Sequence, residues 1–147
     1  MIHRMFKIVC LASMVLLLAT SSWAAEKNMV YASPYGITTL DPSTSYSTEI
    51  GYMGNMYETL IKVNPPGSKE LFTYVLATDY TASDDGLEYI FTLRKGVKFH
   101  DGTPFTAEAV KFSLERTKKI GKGAAFIWGD LKEVQVVDDY SVKLILS

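Results

Sequence analysis

Two stretches of the chain alternate apolar and polar residues with the period of a half-buried β-strand. In LEYIFTLR, apolar side chains recur at every second position from Leu87 to Leu93, and DDG (84–86) separates this stretch from VLATDYTAS. An Asp-Gly pair between two such stretches is a strong hairpin signal. The run EVQVVDDYSVKLILS (133–147) repeats the arrangement, with Asp138-Asp139 at the turn. We expect two β-hairpins whose apolar faces dock on a common sheet.

Helical spacing predicts one clear helix. After the corner HDGTP, the apolar residues Ala107, Val110 and Leu114 recur at intervals of three and four, so a helix should start near Thr106. Strands and helices therefore mix along the chain, and the predicted fold class is α/β (mixed α+β).

Three further elements have weaker signals. A helix is expected with Thr48 as its N-cap and Glu49 in its first turn. Apolar residues follow at helical spacing as far as Leu60, although Gly51 and Gly54 disfavour a helix. Short strands are expected in NMVYAS (28–33) and VKF (97–99). The glycines of IGKGAA should form a flexible exit from the second helix.

The first 24 residues have the layout of a secretory signal peptide. MIHRMFK is basic, IVCLASMVLLLA is apolar and TSSWAA is small and polar, so we expect export and cleavage after about Ala24. The only cysteine, Cys10, lies inside the apolar run, which leaves the mature chain without a disulfide or lipid anchor. Cleavage removes Arg4 and Lys7 and lowers the formal net charge from −1 to −3, so no basic face for nucleic acid is indicated.

Catalytic and metal chemistry find no support in the residue pattern. The mature chain would hold one histidine, His100, and no cysteine, which is too few ligands for a zinc site. Asp101 directly follows His100, and neighbouring side chains normally diverge, so a catalytic pair is disfavoured against a structural corner. Gly121-Lys122-Gly123 fails the phosphate-loop pattern, because Arg116 and Gly123 occupy its first and last defining positions.

Aromatic residues are frequent near the predicted loops. Tyr31, Tyr35, Tyr46, Phe126 and Trp128 all lie in or beside turn-rich segments. Aromatic loops on a rigid scaffold often line ligand clefts, although each residue alone is more often a packing residue.

The order of these features resembles a known family. The chain presents an export signal, a strand, LDPSTSYSTEIGYMGNMYETLI and then LATDYTASDDGLEYIFTLRKGVKFHDGTPFTAEAVKFSLER. This order closely resembles the extracytoplasmic solute-binding proteins of family 5, the dipeptide/oligopeptide/nickel-binding group of ABC importers, over about residues 29–147. The block from Leu93 to Ser113 carries most of the likeness, whereas Tyr80 stands where the family often has Trp.

The resemblance implies a fold and a function. It implies the N-terminal lobe portion of a two-lobed, class II periplasmic binding protein, with residues 25–147 as a truncated domain that lacks the second lobe. The whole protein would be a periplasmic, monomeric, non-enzymatic binder without cofactor or metal. It would capture a peptide or similar small solute and deliver it to an ABC permease at the membrane.

The resemblance also implies roles for particular residues. Ligand contact is expected from the loop after the first strand, residues 34–37, and from the region 126–128, through Tyr35, Gly36, Phe126 and Trp128. The remaining block is expected to be a structural signature. Its members are Asp85, Gly86, Leu93, Arg94, Gly96, Val97, Phe99, His100, Asp101, Gly102 and Pro104.

Several alternatives stay open at this point. The solute could be a peptide, a nickel chelate, a sugar or an opine. The chain could instead be a truncated interaction protein without a transport role, or a secreted hydrolase that uses His100.

Overall fold

The computed structural model describes residues 29, 30, 32, 34–45 and 47–147. The predicted signal peptide, residues 1–24, lies outside this part and stays a prediction. The chain divides into two units, Met1–Pro34 and Tyr35–Ser147. In the first unit the described residues are exposed and belong to no strand or helix, so the strand expected at 28–33 is not found in them.

The second unit mixes short helices with antiparallel strands. Its elements follow in a fixed order, and we number them along the chain. They are α1 (Ile50–Met53), β1 (Ile61–Val63), β2 (Phe72–Tyr74), β3 (Ala77–Ala82), β4 (Glu88–Leu93), α2 (Ala107–Ile120), a 3-10 helix (Gly123–Trp128), β5 (Leu131–Asp138) and β6 (Ser141–Leu146).

Four strands form the main sheet in the order β3-β4-β6-β5, with every neighbouring pair antiparallel. The hairpin β3–β4 closes at Asp84-Asp85-Gly86, and Gly86 has a φ of 69°, a conformation that favours glycine. The hairpin β5–β6 closes one residue later than expected, at Asp139-Tyr140. Both predicted hairpins are therefore confirmed.

The sheet buries one face because its apolar residues alternate in register. Phe91 of β4 pairs with Val142 of β6, and Leu144 pairs with both Tyr89 and Val134. Helix α2 packs on β5 and β6 over this face. The buried core cluster consists of Ala77, Phe91, Leu93, Phe105, Ala107, Val110, Leu131, Val134, Val142 and Leu144.

Helix α2 confirms the predicted start at Thr106. Thr106 is the extended N-cap residue, and the N–H of Ala107 donates to the carbonyl of Asp139 at 2.9 Å, which ties the helix to the β5–β6 turn. At the other end, Gly121 adopts a left-handed conformation with a φ of 66°, as is common for a residue that ends a helix.

The small hairpin β1–β2 was missed by the sequence pattern. Its strands have three residues each, which is too short for a recognisable alternation. It attaches to the sheet through aromatic rings, since the Phe72 ring lies 5.5 Å from Tyr74 and 5.7 Å from Tyr80, and Tyr80 lies 5.7 Å from Phe91. Aromatic contacts therefore replace a long strand pairing as the anchor of this hairpin.

Two expectations for local structure are wrong. The helix expected from Thr48 to Leu60 ends at Met53, where Gly54 follows, and the carbonyl of Leu60 instead accepts hydrogen bonds from Val75 and Ala77. The strand expected at VKF is reduced to one bridge between Lys98 and Pro104. Beyond the helix end at Gly121, Gly123–Trp128 forms a 3-10 helix, and the flexibility expected of this exit stays a prediction.

Truncation of a core residue should weaken this sheet. Leu93 is 2% exposed, so Leu93→Ala should lower the free energy of unfolding by about 2–5 kcal/mol, because it leaves a cavity. Urea unfolding followed by circular dichroism measures this loss. Leu87→Ala is the control, because Leu87 is 41% exposed and should lose much less. Equal losses in the two variants would contradict the described core.

Candidate functional site

A polar loop, residues 38–49, follows the predicted ligand segment, residues 34–37. Within the second unit this loop attaches residues 35–37 to helix α2. Its central contact is an ion pair between Asp41 and Arg116 of α2. Both carboxylate oxygens are used, with distances of 2.8 Å from Nη1 and 2.6 Å from Nη2. This bidentate geometry fixes the orientation of both groups. The guanidinium of Arg116 and the N–H of Ser43 together lower the pKa of Asp41 to about 2.

A buried hydroxyl pair continues the attachment of the polar loop to α2. Ser43 Oγ lies 2.9 Å from Thr117 Oγ1, and Thr117 donates its own hydroxyl hydrogen to the carbonyl of Ser113. Ser43 must therefore be the donor in the pair. Because both residues are buried, this hydrogen bond holds the loop at a defined turn of the helix.

Glu49 closes the polar loop on itself. Glu49 is 4% exposed. Its carboxylate accepts hydrogen bonds from four groups. Thr38 donates through its N–H at 3.2 Å and its hydroxyl at 2.7 Å, and the hydroxyls of Ser45 and Thr48 donate at 2.7 and 3.2 Å. The hydroxyl of Ser45, followed by the hydroxyl and the N–H of Thr38, lowers the pKa of Glu49 to about 2. The charged form of Glu49 therefore fastens Thr38, and with it the end of the predicted ligand segment.

This role of Glu49 was not predicted from the sequence. Sequence reasoning placed Glu49 in the first turn of a helix, whereas it is the N-cap residue of α1 and points its carboxylate back to the loop. The signal that could have revealed it is the density of hydroxyl residues in PSTSYST, directly before a single acid.

Gly123 brings the 3-10 helix against the polar loop. A Cβ at this position would lie 3.0 Å from both the backbone N of Ser45 and the carbonyl carbon of Thr44, closer than packed atoms normally approach. Gly123 also has a φ of 56°, which favours glycine. The loop and the start of the segment 123–128 are therefore in direct backbone contact.

The four residues predicted for ligand contact have different surroundings. Tyr35 is 63% exposed, Phe126 is 69% exposed and Gly36 is exposed. Trp128 differs, because it is half-buried and packs against the hydrophobic core. The polar loop connects the segments that carry these residues, and their role in binding stays a prediction.

The predicted structural block begins at the β3–β4 turn. Asp85 Oδ1 accepts hydrogen bonds from the hydroxyl of Ser83 at 2.5 Å and from the N–H of Leu87 at 3.0 Å. At the end of β4, Leu93 is buried and its N–H donates to the carbonyl of Tyr140 at 2.8 Å. Arg94 reaches back with its Nε to the carbonyl of Val75 at 2.8 Å. These residues join β4 to its neighbours on both sides.

The corner that contains His100 is held by Asp101 and the backbone. Asp101 Oδ1 accepts hydrogen bonds from the N–H and the hydroxyl of Thr103 at 2.9 and 2.7 Å, and the latter is the main cause of its lowered pKa. Gly102 has a φ of 87°, and Phe99 packs edge to face on Phe105. His100 is exposed, and within the described residues no hydrogen bond to its side chain is found.

The rest of the block turns the chain toward α2. Gly96 has a φ of 79°, the half-buried Val97 accepts the N–H of Phe105 on its carbonyl, and Pro104 forms the bridge with Lys98. In the part of the chain that the structure describes, no group of three or more His, Cys, Asp or Glu residues could hold a metal ion. No described helix has the length and apolar character needed to cross a membrane.

The sequence profile of a known family matches just over half of the chain. The profile of the bacterial extracellular solute-binding proteins, family 5 Middle, matches residues 72–147. The chain therefore belongs to this family of solute-binding proteins, which are binding proteins and not enzymes.

Two curated relatives and one solved structure show the likeness. The probable D,D-dipeptide-binding periplasmic protein DdpA of Escherichia coli K12 is 39% identical over 114 residues, which is 74% of this chain and 22% of DdpA. The glutathione-binding protein GsiB of Escherichia coli O6:K15:H31 is 35% identical over 99% of this chain and 28% of its own length. NikZ of Campylobacter jejuni, solved with Ni(L-His), has a TM-score of 0.67 at 30% identity, over 76% of this chain and 22% of NikZ.

The chain thus spans about a quarter of the length of these relatives. Within that span the predicted mixed α/β fold is confirmed, because the structural relatives are periplasmic binding proteins. The family match covers the main sheet, α2 and the structural block, most of which lies in the corner between β4 and α2.

The close approach at Gly123 gives a prediction with an internal control. Gly123→Ala should destabilise the protein by at least about 1 kcal/mol more than Gly121→Ala. Both glycines have positive φ values, but a Cβ at Gly121 meets nothing within 4 Å. Thermal unfolding by differential scanning calorimetry measures both. If the two variants lose equal stability, the polar loop does not contact the 3-10 helix as described.

The lowered pKa values of Asp41 and Glu49 give a pH prediction. A carboxyl group with a lowered folded-state pKa stabilises the fold above its unfolded pKa, and this contribution is lost as pH falls through the folded pKa. The free energy of unfolding should therefore fall between about pH 5 and pH 2. Urea unfolding at a series of pH values measures the slope.

Two variants of the Glu49 cluster test the cause of this slope. Glu49→Gln should be less stable at pH 7 and should show a shallower loss toward pH 2. Ser45→Ala keeps the carboxyl group but removes its first donor, which raises the folded-state pKa of Glu49. Its pH-dependent loss of stability should therefore be smaller and should level off at a higher pH than in the wild type. A wild-type pH profile in both variants would contradict the assignment.

Proposed function

We propose that this chain forms the N-terminal part of the substrate-binding component of an ABC importer, which captures a peptide in a cleft between two lobes. Membership of the solute-binding family carries this proposal. The binding protein closes on its solute and presents the closed form to a membrane permease. It binds and releases its solute unchanged.

A peptide is the solute class that the relatives favour. DdpA is described as a D,D-dipeptide-binding protein and GsiB as a glutathione-binding protein, and glutathione is itself a small peptide. NikZ was solved with Ni(L-His), so nickel chelates stand as the main alternative within the same family. Sugars and opines are further outcomes of a binding screen.

The segment before the polar loop is the part of this chain that we assign to the cleft. Tyr35 and Gly36 are exposed, yet they lie only three and two residues before Thr38, which donates two hydrogen bonds to Glu49. An exposed segment with an anchored end can meet a solute without a large loss of conformational entropy. An aromatic ring and a bare backbone suit a peptide, which offers amide groups and apolar side chains.

Phe126 and Trp128 would contribute from the 3-10 helix. Phe126 keeps most of its surface exposed, whereas Trp128 is half-buried against the core. We therefore assign direct contact to Phe126 and a supporting position to Trp128. Both depend on Gly123, which lets the 3-10 helix meet the polar loop.

The same proposal includes location and assembly. The predicted signal peptide and the description of DdpA as periplasmic support export to the periplasm. The predicted partners are the solute and the permease complex, with the binding protein a monomer.

A titration of the exported protein tests this function. Isothermal titration calorimetry with an L-dipeptide, a D,D-dipeptide, glutathione, Ni(L-His), an oligosaccharide and an opine should show saturable binding of a peptide. Tyr35→Ala should weaken that binding by at least about fivefold, close to 1 kcal/mol.

Tyr57→Ala is the matched control. Tyr57 is 48% exposed and lies outside the predicted cleft segments, so its truncation should leave the dissociation constant unchanged. Saturable binding of the nickel chelate, sugar or opine in place of a peptide would overturn the solute class alone. Failure of every solute to bind a folded protein would contradict the transport role and favour an interaction protein.

A further inference from the structure

Strand β5 lies at the edge of the main sheet, since it pairs with β6 on one side and with no other described strand. The hydrogen bonds of β6 show which backbone groups of β5 point toward the open edge. The N–H of Leu146 donates to Leu87, on the β4 side, so by alternation Leu144 also directs its backbone groups to β4. Val134, which pairs with Leu144, must then direct its carbonyl away from β6, toward the open edge.

Two lysines of α2 occupy carbonyls at this edge. A register shift between Leu131 and Glu133 interrupts the alternation. The carbonyl of Asp130 accepts the N–H of Ser147, so the carbonyl of Leu131 also faces away from β6. Lys111 Nζ donates to the carbonyl of Val134 at 2.8 Å, and Lys118 Nζ donates to the carbonyl of Leu131. Lys111 also lies 3.2 Å from the carboxylate of Glu115, which steadies its side chain. Both bonds cross from the helix to the strand that it covers.

The spacing of the two lysines matches the spacing of the two carbonyls. Seven helical residues separate the lysines, which corresponds to a rise of about 10 Å. Three residue steps lead along the strand from Leu131 to Val134, which corresponds to about 10 Å as well. Lysines one heptad apart share a face of the helix, so a single face serves both carbonyls.

We infer that Lys111 and Lys118 form an edge guard that prevents β5 from pairing with a second copy of this chain. The sequence of β5, LKEVQVVD, is rich in β-branched residues, and Val137 is 56% exposed. Such an edge can accept another strand through its unpaired carbonyls. The guard removes two of those acceptors, and Lys118 places a positive charge where an incoming copy would bring another.

The test compares lysine substitutions in the purified protein. Lys111→Met/Lys118→Met keeps the length of the apolar stems but removes the donors and the charges. Light scattering and thioflavin T fluorescence, measured below the onset of unfolding, should show assembly at least about fivefold faster than in the wild type, with a rate that rises with protein concentration.

Two control variants separate the edge from net charge. Lys119→Met/Lys122→Met removes the same charge from exposed positions outside the guard and should behave as the wild type. Lys111→Arg/Lys118→Arg keeps donors at the edge and should restore slow assembly. Equal assembly in both methionine double variants would overturn the guard.

A third control separates the edge from lost stability. Leu114→Ala truncates a half-buried residue of α2 and should destabilise the protein without exposing β5 carbonyls. At a temperature that gives the same unfolded fraction as the Lys111→Met/Lys118→Met protein, it should assemble more slowly. Equal rates would assign the assembly to unfolding and would also overturn the guard.

Discussion

The ion pair between Asp41 and Arg116 joins parts of the chain that lie 75 residues apart. Helix α2 is docked on the sheet, so any group bonded to Arg116 takes its position from the hydrophobic core. Asp41 is therefore held in place by Arg116, and its carboxylate in turn accepts a hydrogen bond from the N–H of Ser43. At the end of the same loop, the carboxylate of Glu49 accepts a hydrogen bond from the hydroxyl of Thr38 and so holds Thr38 in place. The exposed residues Tyr35 and Gly36 are thus positioned by a chain of polar contacts that starts at the core.

The polar loop and the structural block have different roles: the loop positions the predicted ligand segment, and the block builds the scaffold. The FHDGTP corner is rich in recognisable residues, yet its contacts are internal, with Asp101 bonded to Thr103 and His100 left exposed. Family membership therefore rests on residues that build the scaffold. Since one scaffold can carry different sites, membership of the family identifies a solute binder without naming the solute.

The sequence predicted the parts of the fold that local pattern controls. The hairpin around Asp85-Gly86 and the helix from Thr106 follow from alternation, turn chemistry and helical spacing. The helix expected as far as Leu60 was wrong, because its apolar spacing competed with Gly51 and Gly54. The hairpin β1–β2 had no local signal, since contacts between Phe72 and Tyr80 hold it in place. The anchors Asp41–Arg116 and Ser43–Thr117 join distant positions, so no window of sequence could show them.

Hydrogen–deuterium exchange of the exported protein, with and without a saturating peptide, tests most directly whether the predicted ligand segment and the polar loop form part of a solute site. We expect the peptide to slow exchange across 35–49 and 123–128, while the corner at 99–105 keeps its rate. Unchanged exchange across 35–49 in a protein that binds peptide would contradict the assignment of this segment to the cleft.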